Sequence, residues 1–415
     1  MKLGLIGYPL GHSWSPKIHE FFLGEDCYQL VELKEEDLPS FFASNDLDGF
    51  NVTIPYKQTV MRYLDEIDPL AEAIGAVNTV VHRDGKYFGT NTDYEGFVRM
   101  LEGNHIDVKG KHAAVLGSGG VSKAITAGLN QLGCTFDIVS RNPKGNQISY
   151  DELYRMQEKV SVLINATPVG MAPNDNAVPA DLARFTNLDA VIDAIANPLC
   201  TELCFEAKIR GIQTCGGFEM LVRQAIAADR WFTGHDMDET RVMPCMNHLL
   251  KEKRNIVLIG MPTSGKSVLS KKLAETLQRP LIEMDAEIEA RLGTTIADCF
   301  ETHGETYFRD LETAVAEAIP ANGSVVSCGG GVIKRVENMR ALSRSSIIFW
   351  IDRDIDLLYA SDDRPLSGSK EAVRKLYEER KDLYEMYSDV RIENNGTIDE
   401  ALNRILAVLE KGAAV

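Results

Sequence analysis

Two glycine-rich segments, each directly after a short apolar run, constrain the fold of this chain more than any other feature. Residues 117–120 read Gly-Ser-Gly-Gly and follow the apolar residues 113–116. Residues 260–267 read Gly-Met-Pro-Thr-Ser-Gly-Lys-Ser and follow the apolar residues 256–259. A strand that turns through glycines into a helix points backbone N–H groups at an anion. The first spacing suits a dinucleotide and the second a nucleoside triphosphate, so two separate active sites are predicted.

Length, charge and cysteine usage narrow the class of protein. The 415 residues allow two or three domains at about 150 residues each. A net charge of −17 argues against nucleic acid as a partner, because neutralising phosphates needs clustered Lys and Arg. The first apolar run is too short for a signal peptide, and no window approaches the roughly 20 apolar residues of a membrane span. The eight cysteines show no disulfide or metal spacing. We therefore predict a cytoplasmic protein with small-molecule partners, no nucleic acid and no membrane; the sequence gives no indication of oligomeric state.

Strand-like runs alternate with helical patterns along the chain, which predicts an α/β fold of parallel sheets covered by helices. A charged joint, residues 251–254, reads Lys-Glu-Lys-Arg, and a new strand–helix pattern starts directly after it. We place a domain boundary near residue 252. The predicted domains are a substrate domain of residues 1–100 plus 221–250, a Rossmann domain of residues 101–220 within a first half of 1–250, and a P-loop domain of residues 253–415.

The strand after the first glycine loop ends without an acidic residue. Residues 140–144 read Ser-Arg-Asn-Pro-Lys, whereas an Asp or Glu at this place grips the ribose hydroxyl of NAD. Arg141, assisted by Lys144, favours a 2′-phosphate and hence NADP(H). The alternative is that Arg141 is a solvated surface residue.

Polar segments before the first loop contain groups that suit a polyhydroxylated acid. Ser13 and Ser15 stand at a predicted helix start, where hydroxyl and N–H groups suit a carboxylate. Helix capping by Ser15, with Pro16 at the first helical position, is the alternative, and both can hold together. Further along, Lys57 and Asp93 could exchange a proton with a substrate oxygen while a hydride moves to or from nicotinamide. A structural ion pair is the alternative for these two residues.

Ordered sequence blocks resemble shikimate dehydrogenase across residues 1 to about 248. They are Ser-x-Ser-Pro at 13–16, Asn-Val-Thr-x-Pro-x-Lys at 51–57, Gly-Ala-x-Asn-Thr at 75–79, Asn-Thr-Asp-x-x-Gly at 91–96, the strand end at 165–171 and the closing helix at 220–225. The resemblance implies a two-domain dehydrogenase with a Rossmann domain. It also implies that 3-dehydroshikimate is reduced to shikimate with NADPH.

This resemblance gives each matched residue a role. Lys57 would donate a proton to the carbonyl oxygen, and Asp93 would orient and polarise it. The implied substrate contacts are Ser13 and Ser15 on the carboxylate, and Thr53, Asn78 and Gln224 on the hydroxyls. The implied cofactor contacts are Gly117, Gly119, Gly120, Ser140, Arg141, Thr167, Met171 and Gly217. The chain departs from the family at Ala196, where a Tyr is frequent, and at residues 140–142, where Asn-Arg-Thr is usual.

The second loop, Gly-x4-Gly-Lys-Ser, predicts ATP binding. Its backbone N–H groups wrap the phosphates, Lys266 reaches the β- and γ-oxygens, and the Ser267 hydroxyl ligates Mg²⁺. The residues assigned to the nucleotide are Gly260, Thr263, Ser264, Gly265, Lys266 and Ser267. The short remainder of the chain suits a small-metabolite kinase better than a motor or a GTPase.

An acidic residue, three separated arginines and a glycine run follow this loop. Three such arginines imply an anionic acceptor and developing phosphoryl charge, although each alone could be a surface ion pair. Together the set resembles shikimate kinase across residues 255–412: Asp285, Arg309, Gly329, Gly330, Gly331, Arg364 and Arg380.

By this second resemblance, Asp285 binds the acceptor hydroxyls and orients or deprotonates the attacked one. Arg309 and Arg380 clamp the carboxylate, and Arg364 belongs to a lid that closes over ATP. Gly330 and Gly331 let the backbone approach the substrate ring. Glu283 stands where the family usually has an Asp that supports Mg²⁺ through water, and the lid at residues 366–375 is short.

The two halves predict consecutive reactions: reduction to shikimate, then its phosphorylation to shikimate 3-phosphate. Two alternatives stay open. The first half could oxidise quinate with NAD, or one half could be a non-catalytic ligand sensor or interaction module.

Overall fold

The computed structural model describes residues 1–11, 13–358 and 370–411. The chain divides into two compact units. Unit 1 comprises Met1–Asn197 and Ile212–Met246, and unit 2 comprises Pro198–Gly211 and the chain from Asn247 onwards. The functional domain limits of 1–250 and 253–415 stay a prediction. Residues 198–211, placed with the Rossmann domain above, belong to unit 2.

Strands and helices alternate along both units. The strands are β1 (Leu3–Gly7), β2 (Tyr28–Glu32), β3 (Gly49–Val52), β4 (Glu66–Ile67), β5 (Thr79–Arg83), β6 (Lys86–Thr90), β7 (His112–Leu116), β8 (Thr135–Val139), β9 (Val162–Asn165), β10 (Ala190–Asp193), β11 (Gln213–Cys215), β12 (Asn255–Ile259), β13 (Leu281–Glu283), β14 (Val325–Ser327), β15 (Ser346–Asp352) and β16 (Val390–Glu393). The helices are α1 (Ser15–Leu23), α2 (Leu38–Ser44), α3 (Pro69–Ile74), α4 (Asp93–Gly103), α5 (Gly120–Gln131), α6 (Tyr150–Arg155), α7 (Glu202–Ile209), α8 (Phe218–Thr233), α9 (Val242–Leu250), α10 (Lys266–Leu277), α11 (Met284–Leu292), α12 (Ile296–Glu317), α13 (Val336–Ser343), α14 (Lys370–Tyr387) and α15 (Ile398–Lys411). The predicted α/β class is confirmed, and no helix among the described residues is long and apolar enough to cross a membrane.

The first sheet of unit 1 is mixed, so the prediction of parallel sheets throughout is wrong here. Its six strands run in the order β2-β1-β3-β5-β6-β4, and β5 is antiparallel to both of its neighbours. The loop between β5 and β6 is Asp84-Gly85, with φ angles of 52° and 73°. An Asp-Gly pair with positive φ at both positions is the two-residue turn that favours a hairpin. This local signal could have predicted the antiparallel pair.

The second sheet of unit 1 is parallel throughout and has the order β11-β10-β9-β7-β8. The first strand in sequence, β7, lies between the second and the third, β8 and β9. The chain connections to the strands on the two sides of β7 therefore run in opposite directions across the sheet. In open α/β sheets, ligands bind outside the carboxyl ends of the strands at such a switch point. The glycine loop 117–120 follows β7 at this place, as expected for a Rossmann domain.

Unit 2 contains one parallel sheet of five strands, in the order β13-β14-β12-β15-β16. The phosphate loop 260–267 follows the central strand β12. The segments after β13 and β14 begin at the same carboxyl edge, because all strands point the same way. The predicted P-loop fold therefore brings the loop, Asp285 and the glycine run 329–331 to one edge of the sheet.

Helix α7 is part of the core of unit 2. The Phe205 ring is buried and stacks on the Tyr387 ring of α14, with centroids 6.3 Å apart. The Glu202 carboxylate forms an ion pair with the Arg340 guanidinium of α13 at 2.8 Å. The Lys208 ammonium donates to the Tyr387 carbonyl at 3.1 Å and pairs with Asp389. A cation at the last carbonyls of a helix is favourable, so α7 helps to hold the C-terminal end of α14.

Candidate active sites

Lys57 and Asp93 meet as a nearly buried ion pair. The Lys57 Nζ donates to Asp93 Oδ2 at 2.5 Å, and the two side chains are 14% and 9% exposed. Asp93 is the first residue of α4, where the helix N-terminus favours a negative charge. The structure thus brings the predicted catalytic pair together, and a group held this way can deliver a proton to a neighbouring oxygen.

A buried amide network surrounds Asp93. Asn78 Nδ2 lies 2.9 Å from Asp93 Oδ1, 3.0 Å from Thr92 Oγ1 and 3.3 Å from Gln224 Oε1. The Asn78 Oδ1 accepts from the Thr92 backbone N at 2.7 Å. The predicted substrate residues Asn78 and Gln224 therefore share one site with the ion pair. Thr92 belongs to the Asn-Thr-Asp-x-x-Gly block, and no role for it in this network was predicted from the sequence.

The serine segment differs from the predicted capping arrangement. Helix α1 begins at Ser15 with Pro16 as its second residue, and the preceding Trp14 makes no side-chain capping bond. Ser13 Oγ accepts from the Ser15 backbone N at 3.1 Å. The prediction of Ser15 as the cap is wrong, because the helix starts one residue earlier and the Ser13 hydroxyl takes the N–H group. Ser13 and Ser15 follow β1, and Thr53 follows the neighbouring strand β3, so all three lie at one edge of the first sheet.

The first glycine loop lies against Lys57. Gly117 has a φ of 100°, and a Cβ added there would lie 2.9 Å from the Thr167 side chain. A Cβ on Gly120 would lie 3.5 Å from Lys57 Cδ. Gly119 precedes α5, which begins at Gly120. A phosphate at this helix start would therefore place the rest of a dinucleotide within reach of Lys57 and Asp93.

The other predicted cofactor contacts line the carboxyl edge of the second sheet. Ser140 and Arg141 follow β8, and Arg141 is exposed with no acidic residue beside it in sequence. Thr167 follows β9, and its hydroxyl donates to Asn165 Oδ1 at 2.7 Å. Gly217 follows β11, and a Cβ there would lie 2.2 Å from the Ala194 carbonyl oxygen. Met171 is 45% exposed. These positions suit a dinucleotide whose ribose end reaches Arg141.

The second phosphate loop has the backbone of an anion cradle. Positive φ angles occur at three of its residues, Gly260 (149°), Thr263 (63°) and Gly265 (92°). The Lys266 ammonium donates to the Gly260 and Met261 carbonyls at 2.9 and 2.8 Å. The Asn394 amide donates to the Ser264 carbonyl at 2.7 Å. Ser267 is exposed in the first turn of α10, so its hydroxyl is available to a ligand.

Each glycine of the run 329–331 faces a different group. A Cβ would lie 2.6 Å from Asp285 Oδ1 at Gly329, 2.8 Å from the Pro262 ring at Gly330 and 2.5 Å from the Arg309 guanidinium at Gly331. Side chains at these positions would displace the acid, the phosphate loop or the arginine. The glycines are therefore required by close approach, and the structure brings Asp285 and Arg309 to the same backbone segment.

Both predicted carboxylate-binding arginines are anchored. Arg309 Nη1 donates to Glu312 Oε2 at 2.8 Å, and burial raises the pKa of the Glu312 carboxyl. Arg380 Nη1 and the Tyr384 hydroxyl donate to the Gly330 carbonyl at 2.7 and 2.6 Å. Burial raises the pKa of Tyr384 to about 12. The two cations thus converge on the glycine run, while Arg364 lies outside the described residues.

The comparisons with known proteins agree with these two sites. A family model for the substrate-binding domain of shikimate dehydrogenase matches residues 5–80, and one for shikimate kinase matches residues 262–410. A shikimate dehydrogenase (NADP(+)) of Clostridium beijerinckii is 42% identical over 241 residues, which are 54% of this chain and 89% of that protein. The chain belongs to the shikimate dehydrogenase family. It also contains a shikimate kinase domain.

Solved structures resemble the dehydrogenase part of the chain. A shikimate 5-dehydrogenase of Thermus thermophilus in complex with NADP(H) and shikimate is 30% identical with a TM-score of 0.55, over 60% of this chain and 99% of that one. A quinate dehydrogenase of Corynebacterium glutamicum in complex with NAD is 28% identical with a TM-score of 0.54, over 59% of this chain and 98% of that one. The family and the kinase domain support both oxidoreductase and phosphotransferase activity, with NADP and ATP, in a shikimate-pathway enzyme.

The predicted protein ligands for Mg²⁺ in the kinase domain are Ser267 and Glu283. Among the described residues no cluster of three or more His, Cys, Asp or Glu could hold a metal. The predicted pair is the Ser267 hydroxyl and Glu283, whose Oε1 lies 3.6 Å from the Lys271 ammonium. Mg²⁺ keeps several waters and is usually held by one or two protein oxygens with substrate phosphates. The donor set therefore fits Mg²⁺ held mainly by the nucleotide.

Sequence reasoning missed the residues that support the predicted ones in both halves of this shikimate dehydrogenase family member. In the dehydrogenase half these are Thr92 and Asn51, which donates to Thr79 Oγ1 at 3.0 Å. In the kinase domain they are Glu312, Asn338 and Tyr384; the Asn338 amide donates to Glu312 Oε2 at 3.2 Å. Asn51 and Thr92 stand inside the blocks at 51–57 and 91–96, Glu312 is three residues after Arg309, and Tyr384 is four residues after Arg380. A search for polar residues beside each predicted ligand would have found these four.

Proposed function

We propose that the chain is a bifunctional enzyme that reduces 3-dehydroshikimate to shikimate with NADPH and then phosphorylates shikimate with ATP. The observation that carries this proposal is that the described residues predicted for each reaction lie together in two separate sites. One unites the Lys57–Asp93 pair with a dinucleotide loop so near that a Cβ added at Gly120 would lie 3.5 Å from Lys57 Cδ. The other unites a triphosphate loop with Asp285 and two arginines along one glycine run.

In the reductase, Lys57 acts as the proton donor. NADPH supplies the hydride to the carbonyl carbon when it is bound. The Lys57 ammonium gives a proton to the carbonyl oxygen, so the carbonyl becomes the hydroxyl of shikimate. Asp93 holds the lysine through its 2.5 Å hydrogen bond, and Asn78 holds Asp93 from the other oxygen. This arrangement holds the Lys57 ammonium in position before the reaction, and such positioning is what lets a general acid raise the reaction rate.

The substrate is bound from two sides of the first site. Ser13 and Ser15 take its carboxylate at the start of α1, while Thr53, Asn78 and Gln224 take its hydroxyls. Asn78 Nδ2 donates to Gln224 Oε1 at 3.3 Å, so a substrate hydroxyl that displaces this contact would meet a donor and an acceptor. Such a matched pair favours a polyhydroxylated ring over an apolar one.

In the kinase, the protein positions the acceptor and neutralises charge. Asp285 orients the attacked hydroxyl of shikimate and accepts its proton, and Arg309 and Arg380 clamp the carboxylate. The hydroxyl oxygen attacks the γ-phosphorus of ATP, the bond to the β-phosphate oxygen breaks, and ADP leaves. Lys266 moves from its loop carbonyls to the phosphate oxygens, and Arg364 adds positive charge. Mg²⁺ supplies further charge neutralisation, with Ser267 and Glu283 as its protein ligands, Glu283 through water.

One coupled experiment tests both reactions. NADPH absorbance is followed with 3-dehydroshikimate, Mg-ATP is then added, and shikimate 3-phosphate is measured by mass spectrometry. We expect NADPH consumption followed by the phosphate ester. If NADPH is spared while added shikimate is phosphorylated, NADH is tested next. If neither nucleotide is consumed, the proposal is wrong.

The alternative for the first half is oxidation of quinate with NAD. The similarity to the quinate dehydrogenase of Corynebacterium glutamicum favours it, whereas Arg141 and the lack of an acidic residue at the end of β8 oppose it. Turnover of quinate and of shikimate, each with NAD and NADP, separates the two. A kcat/KM that is higher for quinate with NAD would replace the proposed reaction.

We expect Arg141→Ala to lower kcat/KM for NADPH by about 10–100-fold and to change kcat/KM for NADH by a smaller factor. A hydrogen bond to a charged group contributes about 1.5–3 kcal/mol, and about 1.4 kcal/mol corresponds to a factor of ten. Steady-state kinetics with both nucleotides measure this. Arg155→Ala is the control, because Arg155 is an exposed arginine at the end of α6. Unchanged NADPH kinetics in Arg141→Ala would exclude the 2′-phosphate role.

Gly329→Ala is expected to lower the kinase kcat by about a hundredfold. The new Cβ would lie 2.6 Å from Asp285 Oδ1 and would displace the carboxylate, and a small misplacement of a catalytic group is enough to cause such a loss. The reductase rate of the same preparation is the control and should not change. A kinase rate equal to that of the wild-type chain would show that the Asp285 position does not depend on this close approach.

A further inference from the structure

We propose that His19 and Asp229 form a buried positioning pair for the substrate pocket of the dehydrogenase half. His19 lies in α1 and Asp229 in α8, and both side chains are fully buried. His19 Nδ1 and Asp229 Oδ1 are 2.5 Å apart. The inference rests on the proposed reductase function, whose residues these two do not include.

The pair joins the two helices that carry predicted substrate ligands. His19 is one helical turn after Ser15, the first residue of α1, so both side chains project from the same side of that helix. Asp229 lies five residues after Gln224 in α8. The short hydrogen bond between His19 and Asp229 therefore fixes the distance between a carboxylate-binding helix start and a hydroxyl-binding glutamine.

The His19 ring also holds Tyr28. The two rings stack with centroids 4.2 Å apart and planes 8° apart. The Tyr28 hydroxyl donates to Asn51 Oδ1 at 2.8 Å. The Asn51 amide in turn donates to the carbonyl of Asn78 at 3.3 Å. Tyr28 thus connects the His19 ring to the network around Asp93.

Stability alone does not explain a His–Asp pair at this place. Among the described residues, His19 Nε2 and Asp229 Oδ2 are buried and have no hydrogen-bond partner, and burial raises the pKa of the Asp229 carboxyl. Unpartnered buried polar atoms destabilise a fold, and apolar residues of similar volume often replace a buried polar pair without loss of stability. A directional bond between α1 and α8 is what apolar side chains could not supply. His19 and Asp229 act through Tyr28 and the two helices, so they are positioning residues.

The test uses the full chain with three variants. His19→Leu removes the bond, His19→Asn keeps a side-chain N–H near the Nδ1 position but removes the ring, and the double variant His19→Leu/Asp229→Leu leaves no unpaired polar group. KM and kcat are measured for 3-dehydroshikimate, together with KM for NADPH, the kinase rate and the unfolding temperature. His82→Leu is the matched control, because His82 also stacks on a tyrosine, Tyr87, with centroids 4.4 Å apart.

We expect KM for 3-dehydroshikimate to rise about tenfold in His19→Leu and in the double variant, with KM for NADPH and the kinase rate unchanged. The double variant should unfold at or above the temperature of His19→Leu while its KM stays raised. A double variant with the wild-type KM would overturn the inference and leave a purely structural pair, even if His19→Leu does not fold. A wild-type chain that does not reduce 3-dehydroshikimate would overturn the proposed function instead, and this inference with it.

Discussion

Replacing Lys57 by Met is expected to lower the rate of 3-dehydroshikimate reduction by about 10²–10⁴-fold, the usual contribution of a positioned general acid. Shikimate phosphorylation by the same preparation should stay at its wild-type rate. Met keeps the length of the side chain and its contact with the glycine loop, where Gly120 approaches the Lys57 stem. The loss therefore reports the missing ammonium group. NADPH absorbance measures the first rate and mass spectrometry of the phosphate ester measures the second.

The control for Lys57→Met is Lys111→Met. Lys111 also pairs with an aspartate, Asp189, at 2.9 Å, but it precedes β7, whereas the glycine loop follows that strand. Both variants lose one Lys–Asp ion pair of unit 1, and only Lys57→Met should lose the reductase. If Lys57→Met also lost the kinase while its unfolding temperature stayed at the wild-type value, the assignment of separate sites would be wrong.

Asp285→Asn is expected to give the reverse result, with the kinase rate reduced by about 10²–10⁴-fold and the reductase unchanged. The amide keeps the shape of the side chain beside Gly329 but cannot accept the proton of the attacked hydroxyl. KM for shikimate should change less than kcat, because the carboxylate of the substrate is held by Arg309 and Arg380. Single-substrate kinetics at saturating Mg-ATP separate the two constants.

Asp310→Asn is the matched control for Asp285→Asn, since Asp310 is an exposed acid of the same unit, paired with Arg335 at 2.7 Å. Its kinase rate should equal that of the wild-type chain. A raised KM with an unchanged kcat in Asp285→Asn, or a loss no larger than in Asp310→Asn, would show that Asp285 does not act on the attacked hydroxyl.

Much of the site geometry could be predicted because the functional residues follow strand ends. The carboxyl ends of parallel strands lie at one edge of a sheet. For this reason the glycine loops after β7 and β12, and Asp285 after β13, could be placed from the order of strands and turns. The motifs also identified Lys57 and Asp93, which the structure joins at 2.5 Å.

What could not be predicted depends on contacts between distant parts of the sequence. His19 and Asp229 are 210 residues apart, and neither has a local pattern that indicates a partner. Helix α1 starts at Ser15, and the Ser13 hydroxyl accepts the hydrogen bond from the Ser15 N–H group. This arrangement could not be predicted, because helix ends read from sequence are uncertain by a few residues. The antiparallel strand β5 differs from these cases, since its Asp-Gly turn was visible and was not used.

The path of the chain between its two units affects whether the protein can be divided between two genes. It passes from one unit to the other after residues 197, 211 and 246, whereas two genes joined end to end would produce a single passage. A gene divided at codon 250 would leave Phe205, Glu202 and Lys208 on the other polypeptide, away from the α13 and α14 residues that they contact. A second half encoded alone would expose the hydrophobic surface that α7 covers. Dividing the chain between two genes at this point would therefore require substitutions that compensate for the lost α7 contacts.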